Sequence, residues 1–129
     1  MWGIFKIGRD RERGKVYITD KFWFGWFPFP VIVEIHQEVD LLIIQYLFKK
    51  GNVITSIGDK YKADILSKLV DTEVPADRTA IFLKPGDWVY IFQCGIGKEG
   101  QELSKEELLD LYKRGGIRFD LVKVLKWKD

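Results

Sequence analysis

Ile54-Thr55-Ser56-Ile57-Gly58-Asp59-Lys60-Tyr61-Lys62-Ala63-Asp64-Ile65-Leu66 reads as a strand that breaks at one glycine directly into a helix. The first turn of a helix leaves backbone N–H groups without intrahelical partners and carries the positive end of the macrodipole. With no Cβ at Gly58, a phosphate has room to approach those groups. Asp59 supports a second reading of the same residues, an ordinary strand-to-helix turn in which its carboxylate is the N-cap. Lys60 and Lys62 bear on the choice, because the macrodipole disfavours cations in a first turn. They point either to an anionic partner or to side chains that extend into solvent.

The helix is expected over about Lys60 to Val70, with Tyr61, Ile65 and Leu69 on one stripe. Ser104-Lys105-Glu106-Glu107 has capping-box spacing and opens a second helix, which Gly115 and Gly116 stop. Strands are expected at Lys15–Thr19, Val31–Ile35, Thr79–Leu83, Trp88–Cys94 and in a closing segment containing Ile117-Arg118-Phe119. Leu41–Phe48 and Val53–Ile57 flank Lys49-Lys50-Gly51-Asn52, which reads as a hairpin. Residues 1–129 therefore form one α/β domain: a mixed central sheet of about five strands, with two main helices packed on it and one sheet face left to a partner.

Composition narrows the function classes. A net charge of +2 with both signs interspersed argues against a dedicated DNA binder. Cys94 is the only cysteine, so no intramolecular disulfide or zinc site is expected, and its apolar strand favours a buried, unreactive thiol. Apolar runs are interrupted before they reach the ~20 residues of a membrane span, and the N-terminus is too short in apolar residues for a signal sequence, so an intracellular protein is expected. The single asparagine, Asn52, and the richness in Lys, Glu and Arg match a hyperthermophile bias. His36 reads as structural or exposed, and Arg9-Asp10-Arg11-Glu12-Arg13 as a solvated turn. Phe22-Trp23-Phe24-Gly25-Trp26-Phe27-Pro28-Phe29-Pro30 packs six aromatics into nine residues. Core, subunit interface, base-stacking surface and contact with a host protein are all open readings of it.

In their order along the chain, the Ile57-Gly58 turn, the arginine after a proline in Val74-Pro75-Ala76-Asp77-Arg78, and Glu99-Gly100-Gln101-Glu102-Leu103-Ser104 before the last helix carry a resemblance. The chain resembles, over about residues 15–125, the small proteins of archaeal viruses that include the viral anti-CRISPR ring nucleases; residues 1–14 form an N-terminal extension. That resemblance implies a homodimer whose shared pocket binds cyclic tetra-adenylate and cleaves it without metal or cofactor, in the host cytoplasm. It implies ligand contacts at Gly58, Asp59, Lys60, Lys62, Asp20, Phe22 and Glu99.

The catalytic positions depart from the family pattern. Asp59 stands where the family has a general-acid histidine, and aspartates ionise far below neutral pH, so this position has no proton to give. Asp20-Lys21-Phe22-Trp23 replaces Asn-Ala-Phe-Ser, and Ile96 replaces a phosphate-holding arginine. The expectation is a nucleotide binder with little or no cleavage. The alternative is a viral protein–protein interaction module that reuses the fold.

Overall fold

The computed structural model describes residues 14–95 and 102–128. In chain order the elements are β1 (Val16–Thr19), a single 3-10 turn (Phe24–Trp26), β2 (Val31–His36), α1 (Leu41–Lys50), β3 (Ile54–Ser56), α2 (Lys60–Val70), β4 (Trp88–Cys94), α3 (Lys105–Lys113) and β5 (Ile117–Trp127). The five strands form one mixed sheet in the order β2-β5-β4-β1-β3. β1 is parallel to both of its neighbours, and β5 is antiparallel to both of its own. The carboxyl ends of β1, β2, β3 and β4 therefore emerge at the same edge.

Alternation along the strands assigns the two faces. Ile18, Tyr90, Phe92, Phe119 and Leu121 point toward the helices, where they meet Ile44 and Phe48 of α1, Leu66 and Leu69 of α2, and Leu108 of α3. Phe92 and Phe119 stack there with ring centroids 5.3 Å apart. Tyr17, Val89 and Val124 face the opposite side, which no α-helix among the described residues covers. Two irregular segments lie on that side and contribute Phe22, Trp26 and Phe27 from one, Ile81 and Leu83 from the other. They are tied together by the Leu83 N–H, which donates to the Trp26 carbonyl at 3.1 Å.

The expected elements at Lys60–Val70, Trp88–Cys94 and the capped second helix are present, and the Ser104–Glu107 capping box is complete. Leu41–Phe48, expected as a hairpin strand, is instead part of the helix α1, so among the described residues three helices cover the sheet rather than two. The reason lies at its ends. Asp40 caps it by accepting from the Leu42 N–H at 2.9 Å, and Gly51 closes it in the left-handed region at φ 77°. Leu41, Ile44 and Phe48 are buried, but Leu42, Ile43 and Tyr46 are equally apolar and exposed, so the helical period is hidden in the sequence.

Thr79–Leu83 alternates as a strand would, burying Ile81 and Leu83 and exposing Phe82, yet it pairs with no strand among the described residues. Its start is fastened by side chains: Ser56 Oγ donates to the Thr79 carbonyl at 3.0 Å, and Thr79 Oγ1 donates to the Thr55 carbonyl at 2.9 Å. Cys94 ends β4 partly buried rather than fully enclosed, and His36 ends β2 as an exposed residue beside Glu34. The aromatic segment divides. Phe22, Trp26 and Phe27 pack on the sheet, while Trp23, Phe24 and Phe29 are exposed. No helix among the described residues is long and apolar enough to cross a membrane.

Asp40→Ala removes the cap of α1 and is expected to lower stability by about 1 kcal/mol in urea denaturation. A hairpin at this position would not depend on Asp40, so unchanged stability would contradict the capped helix.

Candidate functional site at the ends of the parallel strands

Parallel strands place their carboxyl ends together, and the connection from β3 through α2 crosses β1 to reach β4. In open α/β sheets, crevices at such reversals of strand order are where ligands bind. Here the edge is built from Asp20 after β1, Ile57-Gly58-Asp59 after β3, and Cys94-Gly95 at the end of β4.

Asp59 is the N-cap of α2. Its Oδ1 accepts from the Tyr61 N–H at 2.8 Å and from the Lys62 N–H at 3.3 Å. The first-turn amides that made this junction an anion site in the sequence are thus already engaged by the chain's own carboxylate. That carboxylate acts as an acceptor.

Gly58 has a packing role. A Cβ there would lie 2.4 Å from Nη2 and 2.6 Å from Nε of Arg78, whose guanidinium rests against the glycine. Arg78 Nη1 donates to Asp20 Oδ1 at 2.8 Å and to the Ser56 carbonyl at 3.3 Å. The Asp20 side chain is 0% exposed, whereas that of Arg78 is 44% exposed. A buried carboxylate requires a charged partner, and a guanidinium has donors to spare. Nη1 serves Asp20 and Ser56, leaving the Nε–Nη2 edge over Gly58. The sequence named Gly58 and Asp20 but did not assign Arg78 to the site. The signal was there, in a lone arginine between the end of α2 and a strand-like run.

Tyr61 is the second residue of α2. Its hydroxyl is buried without a hydrogen-bond partner among the described residues. Burial, and to a smaller degree the proximity of Cys94, pushes its pKa above the usual phenol value, so it stays protonated at neutral pH. The structure places Lys60 away from the cluster: its side chain is 82% exposed and pairs with Asp64 along the helix at 3.7 Å. Lys62 is half-buried at the same helix start. Phe22 is brought near the strand end but faces the aromatic segment, edge-on to Phe24 at 5.5 Å and to Trp26 at 5.4 Å. Ile96 and Glu99 lie outside the described residues.

A second polar centre was not legible as such. Asp120, 7% exposed on the helix-free face of β5, accepts from the Glu38 N–H at 2.9 Å, Gln93 Nε2 at 2.6 Å and Arg118 Nη2 at 3.0 Å. Burial pushes its pKa up, but the Arg118 hydrogen bond and charge, with the Glu38 and Gln93 donors, outweigh it and hold the carboxyl below its usual range. The clue was the charged pair Arg118 and Asp120 at strand spacing within an otherwise apolar run.

The chain matches the family described as STIV B116-like over residues 16–121. Its fold is similar to that of B116 of Sulfolobus turreted icosahedral virus, with a TM-score of 0.74 and 27% sequence identity over 85% of this chain and 99% of that one. No curated protein matches it by sequence.

Because the folded-state pKa of Asp120 is depressed, its contribution to stability is present above the ordinary carboxylate range and is lost as pH falls through the lowered value. Asp120→Asn is expected to cost about 1–3 kcal/mol at neutral pH. The gap between wild type and variant should narrow below about pH 4, read by urea denaturation across pH. A gap that stays constant into acid would contradict a charged, hydrogen-bonded Asp120.

Proposed function

This chain belongs to the STIV B116-like family of small archaeal-virus proteins, and from that membership and the strand-end geometry we propose that it binds a cyclic oligoadenylate or a related nucleotide with little or no cleavage. The observation that carries the reading is Arg78. A cation fixed by a buried carboxylate and a main-chain carbonyl, half-exposed at the carboxyl ends of parallel strands, is arranged to receive a phosphodiester. The resemblance to ring nucleases supplies the ligand class and a pocket shared across a two-fold homodimer acting in the host cytoplasm.

Slow chemistry follows from Asp59. Cleavage by attack of a ribose 2′-hydroxyl needs a proton donor for the leaving 5′-oxygen, and the Asp59 side chain is engaged as an acceptor of two main-chain N–H groups. Loss of one general acid removes about 10²–10⁴-fold in rate. Asp59 also brings negative charge to the helix start, which weakens phosphate binding without abolishing it.

A second reading rests on a different observation. Trp23, Phe24 and Phe29 of the aromatic segment and Ile35 of β2 are exposed on one side of the sheet, and Leu42, Ile43 and Tyr46 of α1 are exposed on the other. That surface suits a protein–protein interaction module.

Calorimetry with cyclic tetra-adenylate and cyclic hexa-adenylate separates the two. Binding of one of them without turnover at neutral pH is expected, weakened about tenfold or more in Arg78→Gln. Asp59→Asn, which keeps a capping side chain and removes the charge, should tighten binding, most at low salt. No binding of either ring would leave the interaction module, and fast metal-independent turnover would end the claim of impaired chemistry.

A further inference from the structure

The outer face of α1 is apolar where a surface helix is ordinarily polar. Leu42 and Tyr46 stand one turn apart with Ile43 beside them, and the three are 70%, 58% and 45% exposed. One turn further on, the Lys50 ammonium lies 5.7 Å from the centroid of the Tyr46 ring. Tyr46 and Lys50 also line an open groove of about 640 Å³, together with Leu47, Lys15 and Val16 at the amino end of β1, and Ile54 at the start of β3. Stripe and groove are therefore one surface.

Its charge has one sign. Both charged residues of the lining, Lys15 and Lys50, are cations, and Lys49 adjoins them in the last turn of α1. Among the described residues these three lysines pair with no carboxylate, whereas Lys60, Arg78, Lys84, Lys105, Arg114 and Arg118 each have one. A helix C-terminus accounts for Lys49 and Lys50 by itself, since the macrodipole favours cations there. It does not account for Lys15, which the approach to β1 brings to the same groove, or for the apolar residues ahead of it.

Complementarity calls for anionic groups over the lysines. Leu42 and Ile43 decide between carboxylates and phosphates. Aliphatic side chains gain by burial against other apolar side chains and offer nothing to a phosphate backbone, so a peptide fits and a nucleic acid does not. An amphipathic helix supplies both requirements, with apolar residues three and four apart and Asp or Glu in its first turn, where its own macrodipole favours them.

We propose that the outer face of α1 and the adjoining groove dock an acidic amphipathic helix of another protein, its apolar stripe on Leu42, Ile43 and Tyr46 and its carboxylates over Lys15 and Lys50. The proposal gives the interaction reading a surface and a partner chemistry. It does not rest on nucleotide binding, because the groove lies at the amino end of β1 and Arg78 at the carboxyl end.

The probe is a fluorescent synthetic helix of about 12 residues, long enough to run beside α1, with leucines at i, i+3, i+4 and i+7 and glutamates in its first turn. Titrated with the full chain and followed by anisotropy, it should bind. The same peptide with lysines for glutamates should bind about tenfold more weakly, and so should the acidic peptide with the double variant Lys15→Glu, Lys50→Glu. Tyr46→Ala should also weaken it about tenfold, with an unchanged urea midpoint because the ring lies outside the core. No binding, equal binding of the acidic and basic peptides, or binding that Tyr46→Ala leaves unaltered would overturn the proposal. Other occupants have their own signatures, and each would overturn it too. A single-stranded oligonucleotide that binds more tightly than the peptide and is lost in Lys15→Glu, Lys50→Glu would give the groove to nucleic acid. A mass that halves in Leu42→Glu by light scattering would give the face to a second copy, and peptide affinity that rises in Trp2→Ala would give it to the chain's own N-terminal residues. Cyclic tetra-adenylate binding that falls in Arg78→Gln and not in Lys15→Glu, Lys50→Glu would bear on the nucleotide reading alone, so either account can fail while the other stands.

Discussion

A carboxylate with no solvent exposure must be held by a cation, and at the end of β1 that requirement organises the functional edge of the molecule. Asp20 draws Arg78 across the end of β3, so the chain leaving α2 has to return to the strand ends before it passes beneath the sheet. The guanidinium then fills the space over Gly58, and only glycine leaves that space open. Ser56 fastens the same return from below, giving its carbonyl to Arg78 and its hydroxyl to Thr79. One ion pair thus fixes the turn into α2, the loop after it and the direction in which the remaining guanidinium donors face.

Function is shaped by the way this edge uses its charges. Asp59 occupies the α2 amides and Asp20 occupies one side of Arg78, so the chain supplies internal anions to the groups that would otherwise seek external ones. In the proposed phosphate site, the contact would rest on one arginine rather than on a full cradle. The opposite face of the sheet has the complementary character, apolar and aromatic with Asp120 as its charged end.

Local signals made much of this architecture legible. Gly58 followed by Asp59, the Ser104–Glu107 pair and Gly115 are punctuation that acts over a few residues, and the helices they bound match the sequence reading. Leu41–Phe48 misled because periodicity works only when one face is polar; the exposed side of α1 is as apolar as its buried side. Thr79–Leu83 carries a strand pattern because it is half-buried against a sheet, which demands alternation whether or not a ladder forms. In the site, Gly58, Asp59 and Asp20 were found because each sits at a recognisable turn or family position. Arg78 and Asp120 were passed over because their local clues, a lone arginine and a charged pair within a strand, do not name the partners 58 and 82 residues away, Asp20 and Glu38, that fix their roles.

The account depends on Asp20 and Arg78 acting as one unit, and a double-mutant cycle with Asp20→Asn, Arg78→Gln and the double variant, read by urea denaturation, measures that directly. Arg78→Gln leaves the buried Asp20 carboxylate without its cation, and Asp20→Asn removes the charge that holds Arg78 in place, so each is expected to destabilise the fold, and the pair should lose less than the sum of the two by about 1–3 kcal/mol. Effects that add to within about 0.5 kcal/mol would show that the two residues do not depend on one another, and the proposed origin of the strand-end site would be wrong.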